Sequence, residues 1–174
     1  MSADRPHIIT VFGSANAPRG EPAYEDALQL GRAIAEQGWT LCNGGYGGTM
    51  EAGARGAVEA GGHTIGVTCA ALGRDGGPNA YIRQEVPTFD LFQRVNTLMR
   101  LASGFVVLPG GTGTLLEIGV VWEFVNKGLL PRRPLVLLGG FWQPLVPVIL
   151  REQPQALRPC LAEDVPAAIA ALQP

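Results

Sequence analysis

The chain has a single lysine, two histidines and three cysteines among its 174 residues, and only 16% of them are charged. Each scarcity removes a class of chemistry. Neither glycine-rich loop contains a lysine, so a Walker A phosphate loop, which needs GxxxxGK[ST], is absent. His7 and His63 stand at the starts of strand-like runs and are read as structural, which excludes a Ser-His-Asp mechanism. Cys42, Cys69 and Cys160 are far apart and form no CxxC pair, so they read as reduced core thiols rather than a disulfide framework or a zinc site. A formal net charge of −2 provides no electrostatic footprint for DNA or RNA.

Long membrane-spanning runs are also missing. Residues 134–150 carry no charge, but Pro134, Pro144, Pro147 and the pair Gly139-Gly140 interrupt them. That pattern fits a buried strand, a turn and a short helix better than a span. The N-terminus reaches the strand-like run at His7 without a basic-then-apolar signal pattern. These observations predict a cytoplasmic protein with no membrane partner. Length and the 47% hydrophobic content suit one well-buried domain over residues 1–174.

Strand-like and helix-like segments alternate along the chain. Strands are predicted at residues 8–12, 39–42, 64–68, 105–108 and 135–138, with helices at 22–37, 49–60, 89–102 and 114–126 and a terminal helix from Asp164-Pro166 to about Leu172. Residues 70–88, with Gly73, Asp75, Gly76, Gly77, Pro78 and Asn79, read as one long irregular loop of functional character. Near-continuous apolar strands alternating with helices predict an α/β, Rossmann-like parallel sheet with helices on both faces. Ligands of such sheets bind beyond the carboxyl ends of the strands.

Two glycine-rich loops follow strands and therefore open on that edge. The first runs from Asn43 through Gly44-Gly45-Tyr46-Gly47-Gly48 to Thr49-Met50-Glu51, and the second is Pro109-Gly110-Gly111-Thr112-Gly113-Thr114-Leu115-Leu116-Glu117. The second enters a helix, whose first backbone N–H groups form a ready anion site. Neither loop completes the dinucleotide fingerprint GxGxxG, since Met50 and Leu116 stand at the third glycine. A shorter phosphate fits better. Glu117 has two readings: an acid at the edge of the anion site, or the closing residue of a capping box begun by Thr114. Arg94 and Arg100, on the preceding helix, read equally as solvated or acid-paired side chains.

These motifs resemble the LONELY GUY (LOG) family, long mislabelled as lysine decarboxylases. Its signatures are a GGGxxGxMG-like loop and PGGxGTxxE, and the second is complete here. Val11-Phe12-Gly13-Ser14, Pro22-Ala23-Tyr24, Gly61-Gly62 and Gly66-Val67 extend the resemblance over roughly residues 8–145. The resemblance implies a dimeric Rossmann-like phosphoribohydrolase that cleaves a nucleoside 5′-monophosphate into free base and ribose 5-phosphate. The base is a cytokinin in some members. No cofactor or metal is implied. The catalytic pair falls on Arg94 and Glu117. The nucleotide-binding positions fall on Ser14, Gly44, Gly45, Gly47, Gly48, Thr49, Met50, Gly110, Gly111, Thr112, Gly113 and Thr114.

A carboxylate suits the task because breaking a ribosyl–base bond develops oxocarbenium charge. At a positive helix end Glu117 is expected to be ionised. Arg94 suits either the phosphate or the departing base. Val95, Glu51 and Leu116 depart from the common family pattern. Pyridoxal phosphate chemistry needs a Schiff-base lysine, and Lys127 sits at the far helix end. A rival reading is a non-catalytic carrier or sensor of a nucleotide or of molybdenum cofactor, since such proteins resemble this family. The expected dimer surface is the pair of lightly charged helices at residues 89–102 and 114–126.

Overall fold

The computed structural model describes residues 6–73 and 77–173. They form a seven-stranded, wholly parallel sheet in the order β4-β3-β2-β1-β5-β6-β7. The strands are β1 (Ile8–Phe12), β2 (Thr40–Asn43), β3 (Thr64–Cys69), β4 (Gln84–Thr88), β5 (Gly104–Val107), β6 (Leu135–Leu138) and β7 (Cys160–Ala162). The helices are α1 (Pro22–Glu36), α2 (Thr49–Glu59), α3 (Leu91–Leu101), α4 (Thr112–Asn126), α5 (Leu145–Glu152) and α6 (Val165–Ala171).

Alternation along the central strands builds two cores. Ile9 and Val11 of β1 face α1, α2 and α6, whereas Ile8 and Phe12 face α3 and α4. On the first face α1 and α2 approach unusually closely. A Cβ on Gly31 would lie 1.9 Å from the Gly53 carbonyl oxygen, and one on Gly56 would lie 2.0 Å from that of Leu28. Backbone-to-backbone contact of this kind needs residues without side chains. The glycines and alanines of α2 are thus shaped for its neighbour.

The sheet has two strands more than its sequence pattern predicts. β4 lies within the stretch read as a loop and pairs with β3 from Ile65–Gln84 to Cys69–Thr88. Its sequence, Gln84-Glu85-Val86-Pro87-Thr88, is polar because it is an edge strand, where a charge and a proline discourage further pairing. β7 is a three-residue strand on the opposite edge, too short to show periodicity. What remains irregular is a 3-10 turn at Ala70–Leu72 and a shorter connection to β4. Asp75 and Gly76 lie outside the described residues.

Cys160 is exposed on β7, contrary to the expectation of three core thiols, while Cys42 and Cys69 are buried. Burial pushes the Cys42 thiol up to about 12, so it stays protonated. Among the described residues, no helix is long and apolar enough to cross a membrane.

Candidate active site

Strand order reverses between β1 and β5. The chain runs outward from β1 through β4, then returns to place β5 on the other side of β1. The turns that leave β1 and β5 therefore diverge, and a crevice opens at their carboxyl ends. A cavity of about 340 Å³ occupies it, with Gly13 and Ser14 from the first turn and Gly111 to Thr114 from the second on its walls.

α4 begins two residues earlier than its sequence pattern suggests. Gly111 is its N-cap and no side chain caps it. The first N–H groups of an uncapped helix have no intrahelical partner, so they remain available to an anion in the cavity. The capping-box reading fails on this register. Thr114 is the third residue of the helix rather than its cap, and Glu117 lies in the second turn with its side chain on the cavity wall. Trp142 Nε1 donates to the Leu108 carbonyl (3.0 Å), and Ser14 N donates to that of Pro109 (3.1 Å), which fixes the entry to this turn.

Arg94 reaches the same cavity from α3. Asp90 caps that helix by accepting from Gln93 N (2.8 Å), so Arg94 lies one turn inside. Both members of the pair are buried, at 7% exposure for Arg94 and 8% for Glu117. Arg94 Nη1 stands 3.6 Å from Glu117 Oε1, an ion pair just too long for a direct hydrogen bond. Arg94 Nε donates to the Val67 carbonyl (2.9 Å), and its guanidinium lies 5.6 Å from the centre of the Tyr46 ring.

The expectation of a fully ionised Glu117 is corrected here. Burial raises its carboxyl to about 7, and Arg94 opposes the rise without cancelling it. Desolvation prevails because the second-turn position lies beyond the helix-end field, which falls off within one turn. Near neutral pH the group is poised between acid and carboxylate.

Seven of the twelve expected nucleotide-binding positions line the cavity: Ser14, Gly44, Met50, Gly111, Thr112, Gly113 and Thr114. Gly45, Gly47, Gly48, Thr49 and Gly110 lie behind them. Gly48, at φ +63°, packs on the Ser14–Ala15 backbone, and Thr49 donates from N and Oγ1 to the Ser14 carbonyl (2.9 and 3.1 Å). Asn43 braces the first loop by accepting from Gly45 N (2.8 Å) and donating to the Met50 carbonyl (2.9 Å). Asn79 donates from Nδ2 to the carbonyls of Gly45 and Tyr46 (3.1 and 2.8 Å). Sequence reading missed Asn79 and Tyr46 as parts of the site. A polar residue in a loop and an aromatic between glycines have no spacing that gives them away.

Two of the three departures from the family pattern, Glu51 and Val95, have local explanations. Glu51 pairs with Arg19 on the outer side of the first loop. Val95 is buried in the core. Lys127 closes the far end of α4, 3.8 Å from Glu123. His7 makes a tilted ring contact with Trp39 and His63 Nε2 meets Gln84 Oε1 at 3.2 Å, both at the amino edge of the sheet. Arg100 bonds Asn96 on the exposed side of α3.

The model of the SLOG cluster4 family matches residues 6–140. The chain belongs to that family. Among relatives of this SLOG cluster4 protein is the cytokinin riboside 5′-monophosphate phosphoribohydrolase of Mycobacterium marinum, 36% identical over 130 residues, or 74% of this chain and 69% of that one. The enzyme of the same name from Rhodococcoides fascians is 29% identical, with 97% of this chain and 90% of that one covered. Among solved structures, the molybdenum cofactor carrier protein of Chlamydomonas reinhardtii superposes with a TM-score of 0.77 at 28% identity over 96% of both chains. The LOG resemblance read from the two glycine motifs thus agrees with the relatives.

Proposed function

We propose that this SLOG cluster4 chain hydrolyses the N-glycosidic bond of nucleoside 5′-monophosphates, releasing free base and ribose 5-phosphate. The observation that carries this reading is the buried Arg94–Glu117 pair facing the uncapped N-terminus of α4 across one cavity. The 5′-phosphate rests on the N–H groups of residues 112–114, which brings the ribose beside Glu117. As the C1′–N bond lengthens, the Glu117 carboxylate stabilises the positive charge on the sugar and orients a water molecule. The water oxygen bonds to C1′, its proton passes to Glu117, and the bond electrons leave with the base nitrogen. Arg94 donates a hydrogen bond to the departing base and keeps part of the Glu117 population ionised; the base nitrogen takes its proton from solvent, and Glu117 releases the water's proton in turn.

Leu72 and Leu91 line the outer part of the same cavity, which suits a base with an apolar substituent as well as a plain one. The measurement that tests the reading is release of base and ribose 5-phosphate from a panel of nucleoside monophosphates that includes N6-isopentenyl-AMP. Glu117→Gln and Arg94→Ala are each expected to lower kcat by about 10²-fold or more. A carrier is the second reading, favoured by the superposition on the molybdenum cofactor carrier. Tight binding of molybdopterin with no turnover across the panel establishes the carrier instead.

The same reading includes a homodimer in the cytoplasm. Phe89 and Phe92 are 78% and 84% exposed at the start of α3, and Leu115 and Leu116 are exposed on α4, the helix that neighbours it. A second copy covering the exposed sides of these two helices removes such apolar side chains from water. A monomer in light scattering at micromolar concentration rejects it. The exposed thiol at Cys160 fits a reducing compartment.

A further inference from the structure

We infer that Tyr46 is the positioning residue for Arg94, its ring face seating the guanidinium opposite Glu117. Tyr46 does not act on substrate in this proposal; it acts through Arg94. Its phenol is held at both ends of one residue, accepting from Cys69 N (2.8 Å) and donating to the Cys69 carbonyl (3.3 Å). Those bonds tie the ring plane to the end of β3. Two strand residues away, the Val67 carbonyl accepts a hydrogen bond from Arg94 Nε. The ring and the carbonyl thus share one rigid support.

The guanidinium needs such a seat because Glu117 does not provide one. At 3.6 Å the carboxylate makes no direct hydrogen bond to it, so the pair stays open to a ligand atom from the cavity. The remaining sides are closed by the first glycine loop and its helix. Met50 Sδ stands 4.0 Å from Nη2, and a Cβ on Gly44 would lie 1.7 Å from the same nitrogen. A cation within about 6 Å of an aromatic centroid is attracted to the ring face, more strongly when both are out of water. The first loop therefore shapes a cation seat, and Tyr46 is its floor. A purely packing role requires only the volume of the ring, not its electronic character, and this difference is measurable.

Among the described residues, Tyr46, Arg94 and Glu117 are the titratable side chains on the cavity wall, with the neutral Cys42 thiol in the core below. A displaced Arg94 loses its hold on the Glu117 carboxyl, which then titrates higher. The test is the ¹³C carboxyl titration of Glu117 in the full chain, compared among wild type, Tyr46→Phe, Tyr46→Leu and a protein carrying pentafluorophenylalanine at position 46. Fluorination preserves the ring's shape and reverses its quadrupole. The fluorinated and leucine proteins are expected to titrate about half a pH unit above Tyr46→Phe, which keeps the ring face. Equal midpoints in Tyr46→Phe and the fluorinated protein overturn the proposal. That comparison does not depend on Tyr46→Leu folding.

The role rests on the hydrolase reading only in its kinetic consequence. There, the fluorinated protein is expected to lose about tenfold in kcat with little change in KM, relative to Tyr46→Phe. Absence of turnover in every protein, wild type included, rejects the hydrolase. The carboxyl titration still decides the role of Tyr46.

Discussion

The two glycine-rich loops look alike in sequence and are opposites in space. In the first, the glycines face protein: a Cβ on Gly44 meets Arg94, one on Gly45 meets β3, and one on Gly48 would lie 2.3 Å from the Ser14 carbonyl oxygen. In the second, Gly110 is crowded by Thr114 at the entry, but a Cβ on Gly111 or Gly113, at the helix start, meets nothing within 4 Å. The first loop spends its missing side chains on close packing, whereas the second leaves space for something that is not protein. A high glycine count thus has two physical meanings, crowding by the chain itself and room for a ligand. Only the neighbours tell them apart.

Four substitutions sharpen or break this contrast, ranked by their expected effect on the fold. Gly48→Ala should be the most damaging, because φ is +63° and the new methyl group meets backbone that has nowhere to go. A loss of more than about 3 kcal/mol is expected in urea unfolding. A loss below about 1 kcal/mol breaks the picture of a sealed loop.

Glu117→Gln probes the open side through pH. The folded carboxyl titrates at about 7, above its ordinary 4.5, so its contribution to stability is fully present below about 4.5 and fades as pH rises through 7. Glutamine does not titrate. The variant should therefore gain on wild type between pH 5 and pH 8, by up to about 3 kcal/mol. Unfolding curves that keep a constant gap across that range show that Arg94, not burial, governs the carboxyl.

Gly44→Ala tests the border between the two loops. The new methyl group displaces the buried Arg94 guanidinium rather than backbone, so stability should fall by about 2 kcal/mol while kcat falls about tenfold or more. Equal wild-type kinetics would remove Arg94 from the mechanism. Gly111→Ala should be the mildest for the fold, at most about 1 kcal/mol, since its φ of −96° suits any residue. Its effect belongs to the ligand: a methyl group on the cavity wall should raise KM for monophosphates several-fold. An unchanged KM places the phosphate elsewhere.

Much of the architecture was legible in advance. The central strands β1, β3, β5 and β6 are buried on both faces, so their composition shows plainly, and the helices between them have clear stops. The edge strands did not show. β4 carries Glu85 and Pro87 because an edge must discourage further pairing, and those residues also disguise it as a loop. The register of α4 was misjudged for a related reason. Thr114 and Glu117 match a capping pattern, but Gly111 takes the cap because its N-terminal flank is held by Ser14 and Trp142, both distant in sequence.

The family resemblance singled out Arg94 and Glu117; by itself, the sequence determined the fold class and the sheet edge on which the two glycine-rich loops open. Periodicity, glycine placement and residue type are local properties, and these conclusions need nothing more. The tertiary structure decided which glycines face the cavity, the shifted carboxyl of Glu117 and the seat that Tyr46, Val67 and Gly44 make for Arg94. Those depend on distance and desolvation between residues from separate strands and helices, which only the folded chain brings together.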